Sequence, residues 1–291
     1  MTLARIASTL MAAVVLSAAT APAASAATGD PAAFRVMSYN IRFDGSSDNP
    51  LWSERRRPMA DQIAFLDPDL LGLQEALPHQ ADWLAEQLPA YDRYGVGRDD
   101  GVSGEQATLF WRRERYERLD AETLWCSPTP DRPSKGWDAA YPRTLTRVIL
   151  RDRRGGGLLD VRNTHFDHVG AVAREQCAGL VSGLAPAEVD GETARVVLIG
   201  DFNAGPETAP YRRILASGLR DARAVSPIAF GPVGTFNAFN IANDNDGVAI
   251  DHIFIGPDLT VRRFAVPTDS VRGRVISDHF PVVADLVPVA P

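Results

Sequence analysis

Lysine is almost missing from this chain: of its 30 basic residues only Lys135 is a lysine, a bias of coding composition before it is one of function. Acidic residues outnumber basic ones, for a formal charge of −7. That balance argues against a dedicated binder of long polyanions, whose affinity rests on many Lys and Arg contacts to phosphate, although local basic patches stay open. Histidine is scarce, with five residues, which leaves little material for an imidazole metal cage. No Gly/Ser or Pro-rich linker and no internal repeat interrupts the chain, so residues 27–291 are expected to form one catalytic domain. Cys126 and Cys177 are the only cysteines. They fit a disulfide or two buried thiols equally well, and a bridge would stabilise the fold by about 4 kcal/mol.

Long apolar runs are missing too, with one exception. Arg5 precedes a mostly apolar stretch, Ile6 to Ala19, and Ala24-Ser25-Ala26 follows it. The run is shorter than the roughly 20 apolar residues that a bilayer needs, and Ser8, Thr9 and Ser17 interrupt it. It reads as a cleavable signal peptide over residues 1–26, which predicts a secreted protein with no stable membrane insertion.

What is present is a succession of short apolar or alternating runs that predict strands at Phe34–Ile41, Leu70–Gln74, Ala107–Trp111, Ala121–Cys126, Leu145–Leu150, Leu158–Asn163, Arg195–Ile199, Ala249–Ile255, Val261–Val266 and Phe280–Val287. Helical spacing predicts Glu54–Phe65, His79–Leu88, Ala171–Leu184 and Ala209–Leu215. Many strands with few helices point to an α/β sandwich of stacked sheets with helices outside. The loop Ser127–Pro142 is long and rich in Pro and aromatics, a composition common in functional loops.

Polar residues fall at strand ends in a pattern. Asn40 ends FRVMSYN, Glu75 ends LLGLQE, His165 closes LLDVRNTH, and Asp201 with Asn203 closes RVVLIGDFN. Asp251 opens IDHIFIG, and Asp278-His279 opens SDHFPVVADL. If the last two strands run antiparallel to the others, all these groups converge on one rim, where a rigid scaffold can hold a hydrolytic site. Any one of them alone would be an ordinary cap or turn. The stretch NTHFDH also resembles the H-x-H-x-D-H zinc motif of metallo-β-lactamase-type hydrolases, with Asn163 in place of its first histidine.

Taken in order, SYN (Ser38–Asn40), LGLQE (Leu71–Glu75), GE (Gly104–Glu105), NTH (Asn163–His165), GDFN (Gly200–Asn203), IDHIF (Ile250–Phe254) and SDHFPV (Ser277–Val282) resemble the endonuclease/exonuclease/phosphatase superfamily, over nearly the whole of the chain after the leader. The resemblance implies a four-layer αββα sandwich with two mixed, mainly antiparallel sheets. It also implies that Glu75, helped by Asn40 and Asp278, holds Mg²⁺ or Mn²⁺, as hard oxygen and amide ligands do. Asp201 would orient or deprotonate the attacking water, with Asn203 positioning it. His279, held by Asp251, would contact the phosphoryl oxygen or move a proton, and His165, oriented by Glu105, would bind phosphate from the other side. The chain departs from the pattern it resembles at Ala249, where many members of that superfamily carry a basic residue, at Arg42, where some carry an acid, and at His252, where a Tyr is usual.

Other features weigh less. Trp137, Lys135 and Arg143 form a candidate substrate contact, since an aromatic face beside two cations can stack a ring and hold a phosphate. Arg55-Arg56-Arg57 and Arg112-Arg113 are expected to contribute one phosphate contact at most. His79 reads as helix-start surface, and NDNDG (Asn243–Gly247) as a turn, since it lacks the distal Glu of a calcium loop. Asp167 and His168 have no assigned role. The expectation is a monomeric, divalent-metal-dependent phosphoester hydrolase, a nuclease-like phosphodiesterase before a phosphomonoesterase on phosphosugars or inositol phosphates, or a sphingomyelinase. Its substrate would be a nucleic acid, nucleotide, phosphosugar or phospholipid headgroup. A zinc hydrolase and an inactive binding protein rank behind.

Overall fold

Side-chain alternation along each strand is what builds this molecule. The computed structural model describes residues 32–289, so the expected signal peptide lies outside the described residues. The chain runs β1 (Phe34–Asn40), α1 (Trp52–Leu66), β2 (Leu70–Ala76), α2 (Pro78–Gln87), β3 (Tyr91–Tyr94), β4 (Gln106–Arg112), β5 (Tyr116–Trp125) and β6 (Thr144–Asp152). It continues through β7 (Gly157–His165), α3 (Ala171–Gly183), β8 (Glu188–Val189), β9 (Glu192–Thr193), β10 (Arg195–Asp201), α4 (Ala209–Ala216), β11 (Arg220–Asp221) and α5 (Ala222–Val225). Last come β12 (Ala229–Phe230), β13 (Asp251–Ile255), β14 (Leu259–Ala265), β15 (Ser270–Val271), β16 (Arg274–Val275) and β17 (Val282–Pro288).

Two mixed, mainly antiparallel sheets carry the fold, one of seven strands ordered β12-β14-β17-β1-β2-β4-β3 and one of six ordered β11-β13-β10-β7-β6-β5. In β1, Val36 enters the core between the sheets while Met37 and Tyr39 face α1 and α2, as a period of two requires. In β10, Val197 and Ile199 face the other sheet while Val196 and Leu198 pack on α3 and α4. Three apolar layers therefore separate four layers of structure, which is the αββα sandwich that the sequence implied.

Both sheets expose the same end to the site. β13 pairs antiparallel with β10, setting Asp251 opposite Asp201, and β17 pairs antiparallel with β1. β10 pairs parallel with β7, setting Asp201 beside His165. The four helical patterns form as predicted, within a few residues at their ends. Strand β3 and the two-residue strands escape periodicity because they are too short to show it. β5 starts at Tyr116 instead of Ala121, because the charges of its first half, Glu117, Arg118 and Asp120, break the apolar alternation.

Two internal ties stand out. Cys126, just after β5, is bonded to Cys177 in α3, 51 positions further along the sequence. Asp160, fully buried in β7, accepts from Arg147 Nε and Nη2 at 3.0 and 2.8 Å and from Arg162 Nε and Nη2 at 3.0 and 2.8 Å. Burial alone would raise the Asp160 carboxyl, but the two guanidinium groups outweigh it and hold the group below its ordinary value.

A carboxylate with a depressed folded-state pKa stabilises above its unfolded value, about 3.9, and loses that contribution as the pH falls through the folded one. Asp160→Asn should cost about 3–5 kcal/mol in urea unfolding at pH 7, because it strands two buried or half-buried guanidinium groups. The penalty should shrink below about pH 4. Denatured, unreduced protein should show no free thiol with a thiol-reactive dye, and either cysteine changed to Ala should lower stability by about 4 kcal/mol.

Candidate active site

The core between the sheets turns polar at one end without breaking its alternation. Leu159 and Val161 lead to Asn163 and His165, Val197 and Ile199 lead to Asp201, and Ile255 and Ile253 lead to Asp251. Gly200 is required beside Asp201, since a Cβ there would sit 2.1 Å from the Thr164 carbonyl oxygen of the adjacent strand. Glu75 comes differently. The β2–β4 register slips between Leu73 and Ala76, and Glu75 takes a left-handed backbone at φ 60°, so the bulge re-aims its carboxylate into the cleft.

Glu75 meets Asn40 at the rim. Asn40 Nδ2 donates to Glu75 Oε1 at 3.1 Å and to Asp201 Oδ2 at 2.9 Å, while its Oδ1 accepts from the Arg42 N–H at 3.0 Å. Glu75 Oε2 also accepts from the Phe43 N–H at 3.2 Å. Arg42 Nη1 lies 3.9 Å from Glu75 and 3.8 Å from Asp278, beyond hydrogen-bond reach of both, because Asp48 holds the rest of its guanidinium. Burial raises the Asp278 carboxyl, and Glu75 raises it further, against the pull of His279 and Arg42. Two adjoining carboxylates so placed suit a hard cation.

Deeper in, His279 Nδ1 lies 2.8 Å from Asp251 Oδ2 and its Nε2 3.7 Å from Asp201 Oδ2. Burial disfavours its cation, but Asp251 and Asp201 prevail and lift its pKa well above the ordinary imidazole value. Burial, with Asp251 adding to it, pushes the Asp201 carboxyl up to about 7. Asp201, Asp251 and His279 bring a ligand atom each within 4.8 Å of one another and could also hold a cation.

His165 is the opposite case. Its Nδ1 lies 3.0 Å from Arg143 Nη1 and 3.9 Å from Glu105, and its Nε2 lies 3.2 Å from Asn203 Nδ2 and 3.5 Å from Asp201. Arginine can only donate, so Nδ1 accepts and the proton sits on Nε2, on the side of the Asp201 carboxylate, while the Asn203 amide nitrogen beside it donates to the Phe166 carbonyl. Burial, then Arg143 and Arg98, drive its pKa well below the ordinary value, so the ring is neutral. Burial and Glu75 raise the Glu105 carboxyl to about 6, against Arg98, which bonds it at 2.6 Å.

A cleft of about 490 Å³ collects these groups: Glu75, Glu105, Arg143, His165, Asp201, Asn203, Asp278 and His279 line it, with Arg42, Phe43, Arg98, Tyr141, His168, Phe236 and Ile250. Asn40 and Asp251 touch the lining from behind. Lys135 and Trp137 do not line it: their turn leads into Asp138, whose carboxylate accepts from the Ala173 and Val172 N–H groups at the start of α3. Arg55 is buried and donates to the carbonyls of Ile41, Arg42 and Phe43. Arg57 pairs with Asp61, Arg112 with Asp67 and Arg113 with Asp92, so these arginines are spent on the protein itself. Arg98 and Phe236 gave no sequence signal, because they come from loops without periodicity or motif, and Tyr141 lies in the Ser127–Pro142 loop that composition singled out without naming this residue. His79 starts α2 and faces Asp44 at 3.0 Å, and His252 is buried between Asp221 and the Ala204 carbonyl.

A profile of the Endonuclease/Exonuclease/phosphatase family matches residues 37–279. Among solved structures, a mannosyl-6-phosphatase of Bacteroides thetaiotaomicron is 36% identical with a TM-score of 0.81, covering 87% of this chain and 99% of that one. An endonuclease/exonuclease/phosphatase from Bacteroides vulgatus is 35% identical with a TM-score of 0.82, covering 88% and 99%. The Carbon catabolite repressor protein 4 homolog 3 of Arabidopsis thaliana is 24% identical over 202 residues, 64% of this chain. The chain spans only 43% of that plant relative's length.

Burial holds His165 neutral, and Arg143 adds to it. Nitrogen-detected NMR on the protein should show this ring neutral and protonated on Nε2 from pH 8 down to well below pH 6.5. In Arg143→Gln, which removes the adjacent cation, its pKa should climb toward the ordinary value of about 6.5.

Proposed function

The chain belongs to the endonuclease/exonuclease/phosphatase family of phosphoester hydrolases, and we propose that it is a divalent-metal-dependent enzyme acting on a small phosphomonoester of the phosphosugar kind. The observation that carries the substrate class is the site's boundary: a concave cleft of about 490 Å³ on a chain of charge −7, whose lining arginines, Arg42, Arg98 and Arg143, are engaged by Asp48, Glu105 and Asp167. A nucleic-acid strand would need a track of free cations leading away from the site. The mannosyl-6-phosphatase at 36% identity supports the same reading. A nucleic-acid diester, the first expectation from the sequence, ranks behind because the arginines that line the cleft are engaged by internal carboxylates.

Glu75 and Asp278, with Asn40 beside them, would hold Mg²⁺ or Mn²⁺. When bound, the ion would neutralise phosphate charge and stabilise the charge that gathers on oxygen in the transition state. We assign it there in preference to the Asp201, Asp251 and His279 group, because His279 is kept as a cation by Asp251, and a protonated imidazole is no ligand. Asp201, held by Asn40 and by the Asn203 N–H at 2.9 Å, orients the attacking water and accepts its proton. As the new bond from water to phosphorus forms, the bond to the sugar oxygen breaks. His165 Nε2–H and the His279 cation donate to phosphoryl oxygens from opposite sides, and Asn203, tied to Asp201 by its backbone N–H and to the Phe166 carbonyl by its amide, sits between His165 and Asp201.

We also propose that the chain is secreted as a monomer with a single catalytic domain. The leader-like residues 1–26 support secretion, and so does the Cys126–Cys177 bridge, a bond that persists in oxidising compartments.

With Mg²⁺ present, wild-type protein should hydrolyse hexose 6-phosphates with a kcat/KM well above that for single- or double-stranded DNA or RNA. EDTA should abolish turnover and Mg²⁺ restore it. His279→Ala and Asp201→Asn should each lower kcat by about 10²–10⁴, and Glu75→Gln should weaken Mg²⁺ binding in calorimetry. Faster cleavage of a nucleic-acid strand than of any sugar phosphate would sink the monoester reading.

A further inference from the structure

Beside the phosphate-handling groups the cleft has an aromatic wall that no part of the hydrolytic scheme uses. The Tyr141 and His168 rings lie nearly parallel, 19° apart with centroids at 6.0 Å, and both line the cleft. Both are open to solvent, Tyr141 at 50% exposure. An aromatic pair on a monomer's surface is ordinary; one fixed from beneath by buried charge at the mouth of a catalytic cleft is not.

The fixing is done by Asp167, itself buried. Its Oδ1 accepts from the Val169 and Gly170 N–H groups at 3.0 and 2.7 Å, and its Oδ2 lies 3.3 Å from both the Tyr141 N–H and Arg143 Nε. One carboxylate thus ties the end of the long loop, the approach to β6 and the turn after β7. Arg143 then divides its two terminal nitrogens between the histidines, 3.0 Å to His165 Nδ1 and 3.0 Å to His168 Nδ1. As with His165, an arginine donor leaves the His168 proton on Nε2, away from Arg143. Arg98 sits 4.8 Å from the centre of the Tyr141 ring. The wall is therefore preorganised, and its orientation is coupled through Arg143 to the histidine that meets the phosphate.

We propose that Tyr141 and His168 form the leaving-group subsite, stacking on the ring of the sugar whose phosphate is removed, with Arg143 and Asp167 as positioning residues. The proposal rests on the phosphosugar reading. A pyranose offers an apolar C–H face and a rim of hydroxyl oxygens, and this wall offers flat π faces with N–H donors at their edges. Because the wall adjoins His165, a phosphate held by His165 and His279 would carry its ester oxygen and sugar toward it.

The test compares wild type, Tyr141→Ala and His168→Ala on mannose 6-phosphate and on glycerol 3-phosphate, an ester without a ring, all with Mg²⁺, alongside calorimetric binding of mannose 6-phosphate in Ca²⁺. The ratio of kcat/KM for the hexose ester over the glycerol ester should fall about 10-fold in each variant, the scale of one aromatic stacking contact, and chiefly through KM. Tyr141→Phe should retain most of that ratio. Thermal melts at the wild-type temperature would show that both variants fold. If wild type hydrolyses mannose 6-phosphate but both variants keep its ratio, the subsite is wrong and the phosphosugar reading stands. If wild type neither binds nor hydrolyses any hexose phosphate, both fall. A preference for nucleoside monophosphates that the same variants erase would overturn the sugar assignment.

Discussion

Two sheets separated only by aliphatic side chains have little to fix how one sits over the other, and a site assembled from both needs that relation fixed. Asn163 supplies it. From β7 in one sheet its amide nitrogen donates to the Leu73 and Thr108 carbonyls of the other, at 2.9 and 3.0 Å, and its oxygen accepts from Gln74 at 2.7 Å. Gln74 reaches on to Ser38 at 3.1 Å. Buried polar groups of this kind are directional where apolar contacts are not, and leaving one unpaired is costly. Gly72 makes the room, since a Cβ there would meet Ile199 at 2.5 Å and Asn163 at 2.9 Å. The bond set lies at the bulge that aims Glu75, so the alignment of the sheets and the aim of the principal carboxylate are one constraint.

From that alignment follows an electrostatic asymmetry. His165 and His279 occupy the same rim, both buried, and burial pushes both toward neutrality. Their neighbours decide otherwise for one of them: two aspartates keep His279 charged, and two arginines keep His165 neutral. Neither state could be assigned from residue type, because it depends on which strand lies alongside. Arg55, fully buried, belongs to the same organisation, since it gathers the carbonyls of the segment that carries Arg42 and Phe43 to the rim.

Much of this was legible in the sequence, for a reason visible in the strands. An alternation that stays apolar for several residues and then turns to Asn, His or Asp on the same face, as in β7, β10 and β13, announces both the sheet and the end at which chemistry occurs. GDFN and SDHFP added the order of the parts. The strand directions, left conditional by the sequence, are set by the pairing of β13 with β10 and of β17 with β1. Loops were opaque. Lys135 and Trp137 have the composition of a binding site, yet their turn serves the start of α3, while Tyr141 and Arg98 reach the cleft through backbone turns that no periodicity encodes. The structural part of Asn163 left no mark in its own stretch of sequence, because its partner lies 90 positions away.

The scarcity of lysine has a practical side. Lys135 sits exposed on the long loop and outside the lining of the cleft, and no other side-chain amine exists on the chain. Amine-directed chemistry, which decorates most proteins at many points, has here a single side-chain address besides the chain's own amino terminus. A surface, dye or polymer coupled through that one side chain would hold each molecule in a common orientation with its cleft unmodified, a built-in handle for oriented immobilisation.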